Sequence, residues 1–213
     1  VLAAEKVWVP LNPRDGAGEL DAKLDATCPS IMIADEDCLD CFQPPDTTLV
    51  IGRGAGPRIG AGIAGLIDRN GGRRPQRSAR DAEDTQAIKF TGGSSGRPKG
   101  VLQPYRAWMT GATCMTHALG LGPDDKYLMA APLTHGTSCY VTPVLGAGGT
   151  LVLGDGALRP PDVLEAFAAH QITTTFLTPT MIYMMLAELG AAERPFPELK
   201  RLIYGGAPMP PER

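Results

Sequence analysis

The sequence predicts an α/β fold built on parallel sheets. Short apolar segments rich in β-branched residues recur along the chain, and segments with apolar residues three or four positions apart lie between them. This alternation is typical of parallel strands joined by crossover helices. With 213 residues, 43% of them hydrophobic, the chain can bury the core of one large domain or of two small ones.

The first part of the chain carries three predicted strands and one predicted helix. The strands are residues 7–9, 31–33 and 48–51, each a short apolar segment, and the first ends at Pro10. Residues 19–26 predict a helix, because Leu20 and Leu24 are four positions apart. This order predicts the beginning of a parallel sheet.

The cysteines predict no metal or redox site. The chain has five cysteines, an odd number, which indicates free thiols in a reducing, cytoplasmic compartment. Cys38 and Cys41 form the one close pair, but a zinc site needs a second pair or nearby histidines, and the nearest histidine in the sequence is His117. We therefore interpret the pair as small, partly buried side chains on a short helix.

Residues 52–84 are rich in glycine and arginine and predict a solvated connector. The arginines are followed by Asp81, Glu83 and Asp84, and no aromatic residue lies between them to stack on a base. Together with a net charge of −3, this argues against a nucleic-acid partner. The predicted organisation is a first α/β subdomain segment with its connector at 1–84 and a second subdomain at 85–213.

The connector contains Gly60, Gly62 and Gly65, which fit the spacing of a dinucleotide-binding fingerprint. That fingerprint should follow a strand directly and open a helix. Here eight residues, including Pro57, separate it from the predicted strand that ends at Ile51. A dinucleotide-binding oxidoreductase stays an alternative that binding of NADH but not ATP would favour.

The second part of the chain repeats the alternation more regularly. Predicted strands lie at 87–90, 127–130, 150–153, 173–177 and 201–204, and a helix lies at 104–119. Two more helices begin at the prolines 160–161 and 179. Asp162 and Glu165 have the spacing of a capping box for the first of these. The predicted buried face of the second, which ends at Gly190, is Met181, Ile182, Met185, Leu186 and Leu189.

Residues 91–101 form the stretch with the clearest chemical meaning. They read Thr-Gly-Gly-Ser-Ser-Gly-Arg-Pro-Lys-Gly-Val, between a predicted strand and a predicted helix. Glycines allow consecutive backbone N–H groups to turn inward, and such a loop with hydroxyls and one ammonium suits phosphate oxygens. It is not a Walker loop, because Lys99 is followed by Gly100 rather than by serine or threonine. A flexible Gly/Ser turn is the alternative from composition alone.

This loop resembles the phosphate loop of the adenylate-forming enzymes, which include acyl- and aryl-CoA synthetases, luciferases and peptide-synthetase adenylation domains. The usual form is Thr-Ser-Gly-Ser/Thr-Thr-Gly-x-Pro-Lys-Gly. The chain departs from it at Gly92, where serine is commoner, and at Ser95, where threonine is commoner. The resemblance implies that the β- and γ-phosphates of ATP are held by Thr91, Gly92, Gly93, Ser94, Ser95, Gly96 and Lys99, with Lys99 and Thr91 as the catalytic residues.

Three further stretches resemble the family in the same order along the chain. Val9-Pro-Leu-Asn-Pro13 is similar to a stretch near the substrate-entry half of the fold, and Pro132-Leu-Thr-His-Gly136 to one whose histidine, here His135, borders the acyl pocket. The turn of Gly205, Gly206, Ala207 and Pro208 is similar to the family's turn between adenine and the acyl group. From composition alone, His135 would be structural, and the turn a plain strand-to-helix connection.

The resemblance implies ATP-dependent activation of a small carboxylic acid to an acyl-adenylate, then transfer to coenzyme A, with Mg²⁺ sharing the phosphate charge. It also implies a fragment of the family's N-terminal domain, inactive alone, with the C-terminal domain absent. Peptide-synthetase domains typically carry Phe-Asp-x-Ser near 133–138, and the missing aspartate favours a plain acid. A non-catalytic nucleotide-binding scaffold is the other alternative. No apolar run long enough to span a membrane occurs.

Overall fold

The computed structural model describes residues 1, 4–53, 58–74, 80–91, 98–134, 136–154, 158–189 and 196–210. They form two compact units, Val1–Arg106 and Ala107–Arg213, which are treated separately below. The first unit includes the strands on both sides of the phosphate loop. The subdomain boundary at residue 84 stays a prediction. The mixed α/β architecture with parallel sheets confirms the predicted fold class.

A three-stranded parallel sheet organises the first part of unit one, in the order β1-β2-β3. Its strands are β1 (Ile31–Asp35), β2 (Leu49–Arg53) and β3 (Ala61–Gly62). Helix α1 (Ala17–Thr27) supplies Leu20 and Leu24, which are almost fully buried and pack with Met32 and Val50 of the sheet. Residues i and i+4 lie on one face of a helix, which is why this spacing predicted the contact.

The predicted connector is only partly correct. Helix α2 (Ile63–Asn70) and β3 lie inside it, and Gly60 N–H bonds to the Val50 carbonyl at 2.9 Å. No residue of α2 is buried, and Ile67 is exposed. The glycines and arginines of this region hid the helix from the sequence analysis. The glycine fingerprint does open a helix, but β3 is two residues long and lies within the fingerprint itself.

The phosphate loop joins two antiparallel strands, β4 (Thr85–Thr91) and β5 (Lys99–Pro104). The sequence had predicted a loop leading directly into a helix at residue 104. Instead, β5 intervenes and α3 (Tyr105–Leu119) follows it. The strand predicted at 7–9 is a single bridge between Trp8 and Ala87 on the other edge of β4.

Unit two is a three-layer arrangement around a parallel sheet in the order β7-β6-β8-β9. The strands are β6 (Lys126–Met129), β7 (Thr150–Leu153), β8 (Thr174–Leu177) and β9 (Arg201–Tyr204), and the helices after α3 are α4 (Val141–Gly146), α5 (Pro160–His170) and α6 (Pro179–Leu189). Tyr127 and Leu128 point to opposite faces, because side chains alternate along a strand. Tyr127 packs with Val144 of α4, and Leu128 with Phe167 of α5.

Two details of the predicted helices are wrong. Helix α5 begins at Pro160, so Asp162 is its third residue and accepts a hydrogen bond from the Arg159 backbone N–H at 2.9 Å, whereas the sequence had paired Asp162 with Glu165. Prolines occupy the first turn because they need no N–H partner there. In α6, Leu186 is 51% exposed rather than buried.

A buried ion pair joins the amino-terminal ends of three strands of unit two. Arg201 Nη1 donates to Asp125 Oδ1 at 2.8 Å, and Thr173 Oγ1 and the Gly122 N–H donate to the same carboxylate. Burial raises the pKa of Asp125, but the bonds from Arg201, Gly122 and Thr173 outweigh it and hold the pKa below its usual value. This network links the amino-terminal ends of β6, β8 and β9 to one another.

Candidate functional site

The two strand ends that flank the phosphate loop lie directly opposite each other. Thr91 ends β4 and Lys99 begins β5, and the two are partners in the antiparallel register. Both side chains are exposed, and Thr91 Oγ1 lies 3.5 Å from the Lys99 carbonyl oxygen. Opposite residues in a ladder project from the same face, so a hydroxyl and an ammonium are presented together.

Gly100, directly after Lys99, is required by the packing of β4 against β5. A Cβ at this position would lie 2.9 Å from Ile88 Cγ2 and 3.4 Å from the Phe90 ring. Phe90 and Gly100 are register partners. The aromatic ring therefore lies beside the glycine, next to the strand ends that flank the loop.

The loop residues themselves, Gly92, Gly93, Ser94, Ser95 and Gly96, lie outside the described residues. Their contacts with phosphate stay a prediction. The two residues that flank the loop are described, and Thr91 and Lys99 are register partners there. Their role in binding phosphate also stays a prediction.

Two lysine ammonium groups lie against aromatic rings at β4, and the sequence had pointed to neither. Lys23 Nζ lies 5.8 Å from the centroid of the Phe90 ring, and Lys89 Nζ lies 5.4 Å from that of the Trp8 ring. Lys23 also bonds to Asp15 at 2.5 Å and Glu19 at 2.6 Å. Burial lowers the pKa of Lys23, but its two carboxylate partners outweigh this and raise it overall. The i, i+4 spacing of Glu19 and Lys23 was the available signal.

In unit two, the predicted turn Gly205–Pro208 follows β9 at the carboxyl edge of the sheet, directly after the register pair of Leu177 and Tyr204. Ligands of open α/β sheets bind at this edge. A Cβ on Gly205 would lie 3.3 Å from Phe176 Cε2, and Gly206 has φ +88°, a conformation that favours glycine. Ala207 and Pro208 are exposed, so the turn offers an accessible backbone surface.

His135 lies outside the described residues, but the segment after it is firmly anchored. Residues Gly136–Tyr140 form a 3₁₀ turn in which Thr137 and Ser138 are buried. The Tyr140 ring stacks on those of Tyr127 and Phe176, with centroids 5.2 and 5.7 Å apart. Burial raises the pKa of the Tyr127 phenol, so it stays neutral. The position of His135 at the pocket stays a prediction.

The described residues do not contain a metal cluster or a reactive cysteine pair. No group of three or more His, Cys, Asp or Glu side chains among them could hold a metal ion. Cys38 and Cys41 are free thiols on a 3₁₀ helix, and burial raises the pKa of Cys38, which opposes thiolate formation. Among the same residues, no helix is both long and apolar enough to cross a membrane.

Comparison with known proteins identifies a family whose model matches this chain and several proteins that are similar to it. A family model described as AMP-binding enzyme matches residues 1–213. The chain is 30% identical over 209 residues to a feruloyl-CoA synthase from Amycolatopsis sp, a match that covers 97% of this chain and 40% of that protein. It is 30% identical over 215 residues to an indoleacetate–CoA ligase from Aromatoleum aromaticum, covering 97% of this chain and 41% of that protein.

Among solved structures, the amide bond synthetase McbA from Marinactinospora thermotolerans matches with a TM-score of 0.82 at 26% identity. The match covers 99% of this chain and 42% of that chain. The chain thus spans about two fifths of the length of the proteins that it resembles.

Proposed function

Because this chain belongs to the family of AMP-binding enzymes, we propose that it takes part in the ATP-dependent activation of a carboxylic acid and its transfer to coenzyme A. Membership confirms the resemblance found in the phosphate loop. The observation that carries the proposal is the pairing of Thr91 with Lys99 at the base of that loop. A hydroxyl and an ammonium on one face suit the oxygens of a polyphosphate.

In the first step, a carboxylate oxygen of the acid attacks the α-phosphorus of ATP. The bond between the α-phosphorus and the bridging oxygen breaks, and pyrophosphate leaves with the electron pair, giving an acyl-adenylate. Catalysis of such an in-line displacement depends on positioning and charge neutralisation. Lys99 would neutralise charge on the leaving pyrophosphate, and Thr91 would donate a hydrogen bond to one of its oxygens, together with the N–H groups and hydroxyls of residues 92–96.

In the second step, the thiol of coenzyme A attacks the acyl carbon, loses its proton, and displaces AMP. The turn of Gly205, Gly206, Ala207 and Pro208 would lie between adenine and the acyl group, where a flat surface without side chains is useful. His135 would border the acyl pocket and shape it without transferring a proton. Mg²⁺ would enter with ATP, whose phosphates are its usual ligands.

An aryl or arylalkyl acid is the first substrate class to test. The two relatives described above are named for feruloyl and indoleacetate substrates. Within residues 133–138, Leu-Thr-His-Gly-Thr-Ser contains no carboxylate that could pair with the amino group of an amino acid. This argues against a peptide-synthetase type of substrate.

For the second step, one comparison favours a different acceptor from the thiol of coenzyme A. McbA is named an amide bond synthetase, so an amine rather than a thiol is the second candidate acceptor. A non-catalytic nucleotide-binding scaffold is a third candidate. The pairing of Thr91 with Lys99 would serve phosphate binding there as well, so AMP production is what separates the scaffold from the enzyme.

The test is a product analysis of the intact gene product with ATP and a panel of aryl, fatty and amino acids. Each reaction receives coenzyme A, a simple amine, or no acceptor. The proposal expects AMP and pyrophosphate in equal amounts, with a thioester only in the presence of an aryl or fatty acid and coenzyme A. Formation of an amide without a thioester would show that the acceptor is an amine rather than coenzyme A. ATP binding without AMP production in any reaction would support the scaffold.

A further inference from the structure

Lys23 lies in helix α1 in an unusual environment for a lysine. Its side chain is only 7% exposed, and its ammonium bonds to Asp15 Oδ2 at 2.5 Å and to Glu19 Oε1 at 2.6 Å. Lysine is almost never so buried unless its charge is paired. Two carboxylates, one just before α1 and one in its first turn, therefore hold this ammonium in place.

The fixed ammonium has a third contact, with the strand that leads into the phosphate loop. Lys23 Nζ lies 5.8 Å from the centroid of the Phe90 ring, within the range in which a cation is attracted to an aromatic face. The same ring lies against Gly100, where a Cβ would approach its atoms to 3.4 and 3.5 Å. Phe90 thus lies near the ammonium of Lys23 and is paired with Gly100 of β5.

The contact lies one residue pair away from the candidate site. Phe90 pairs with Gly100, and the next pair along the ladder is Thr91 with Lys99. The Phe90 ring occupies the space that a side chain at position 100 would need, so its placement bears on how β4 and β5 pack beside the strand ends that present Thr91 and Lys99. The ion pairs of Lys23 thereby connect α1 to the base of the loop.

We propose that Lys23 is a positioning residue for the phosphate loop, acting through the Phe90 ring on Gly100 and hence on Thr91 and Lys99. This rests on the proposed function of the loop as an ATP site. A residue that only stabilised α1 would need its two carboxylate partners, but it would not need an aromatic ring at the base of the loop. The charge matters because a neutral side chain would be held neither by Asp15 and Glu19 nor by the ring.

The experiment compares Lys23→Met, Lys23→Arg, Phe90→Leu and the double variant Lys23→Met/Phe90→Leu. Lys6→Met, at an exposed lysine of the same unit, is the matched control. The dissociation constant of ATP is measured by equilibrium dialysis well below each variant's melting temperature. We expect Lys23→Met to weaken ATP binding about fivefold, Lys23→Arg to restore it, and Lys6→Met to leave it unchanged. The double variant should bind no more weakly than Phe90→Leu alone.

A purely structural role predicts a different result. Lys23→Met would then lower the melting temperature while the dissociation constant of ATP stayed at the wild-type value, and this would overturn the inference. Additive losses from Lys23→Met and Phe90→Leu would also overturn it, since the two residues would then act separately. If the wild-type protein does not bind ATP, the proposed function fails, and the inference fails with it.

Discussion

Thr91 lies directly opposite Lys99 at the open end of the β4–β5 ladder, with its hydroxyl oxygen 3.5 Å from the Lys99 carbonyl. The pairing gives the phosphate loop a rigid base, because the two residues that flank it cannot move apart without breaking the ladder. The next pair inward, Phe90 with Gly100, has an aromatic ring packed on a backbone without a side chain. Loop function should therefore depend on residues that never touch the nucleotide.

Gly100→Ala should destabilise the protein. The new Cβ would lie 2.9 Å from Ile88 Cγ2, and overpacking of this kind costs about 1–3 kcal/mol. The matched control is Gly111→Ala in α3, where nothing lies within 4 Å of the new Cβ; there the free energy of unfolding should rise by about 0.5–1 kcal/mol. Urea denaturation of both variants is the measurement. Equal stability of the two variants would contradict the packing described at Gly100.

The sequence predicts well those elements whose burial follows a local period. Strands β7 and β9 coincide with their predicted limits, and Leu20 and Leu24 are buried together as their spacing indicates. Strand β5 could not be predicted, because it depends on pairing with β4 and its Val101 and Leu102 are both exposed. Partners that are distant along the chain leave no local pattern.

The same limit applies to the candidate site. Lys99 and Thr91 were predicted from the loop, since the chemistry of phosphate binding can be read from residue types. The contact of Lys23 with the Phe90 ring was not predicted, because it joins residues that are far apart in sequence. Leu186 was wrongly placed in the core, because α6 is apolar on most of its surface and periodicity alone did not distinguish its faces.

The Asp125–Arg201 pair should make stability depend on pH. The native carboxylate has a lowered pKa, so its stabilising effect is full above the pKa of an unfolded aspartate, about 3.9, and is lost as the pH falls through the lower native pKa. Asp125→Asn should cost about 3 kcal/mol at neutral pH. The difference between wild type and variant, measured by urea denaturation across this acid range, should shrink toward zero at the lowest pH.

The control for that experiment is Asp35→Asn. Asp35 and Arg53 form a pair at 3.6 Å in which both side chains are exposed, and such pairs contribute less than about 1 kcal/mol. This variant should have nearly the wild-type stability at every pH. If Asp125→Asn behaved in the same way, the buried network would not be a determinant of stability.

His135→Ala should change which acid is used without changing the use of ATP. The proposal places His135 at the acyl pocket, where a change of shape alters discrimination between acids by roughly tenfold or more. The Michaelis constants for a series of aryl acids and for ATP are the measurement. His117→Ala, at an exposed position of α3, is the matched control. A rise in the Michaelis constant for ATP alone would contradict the proposal that His135 borders the acyl pocket.

The most direct test of the central claim is acid-dependent exchange of labelled pyrophosphate into ATP, with wild type beside Lys99→Ala and the exposed-lysine control Lys6→Ala. The account predicts exchange that requires one class of carboxylic acid, falls roughly 100-fold in Lys99→Ala because the charge on the leaving pyrophosphate is no longer neutralised, and is unchanged in Lys6→Ala. Exchange by Lys99→Ala at the wild-type rate would contradict the account. An absence of both exchange and ATP binding in the wild-type protein would contradict it as well.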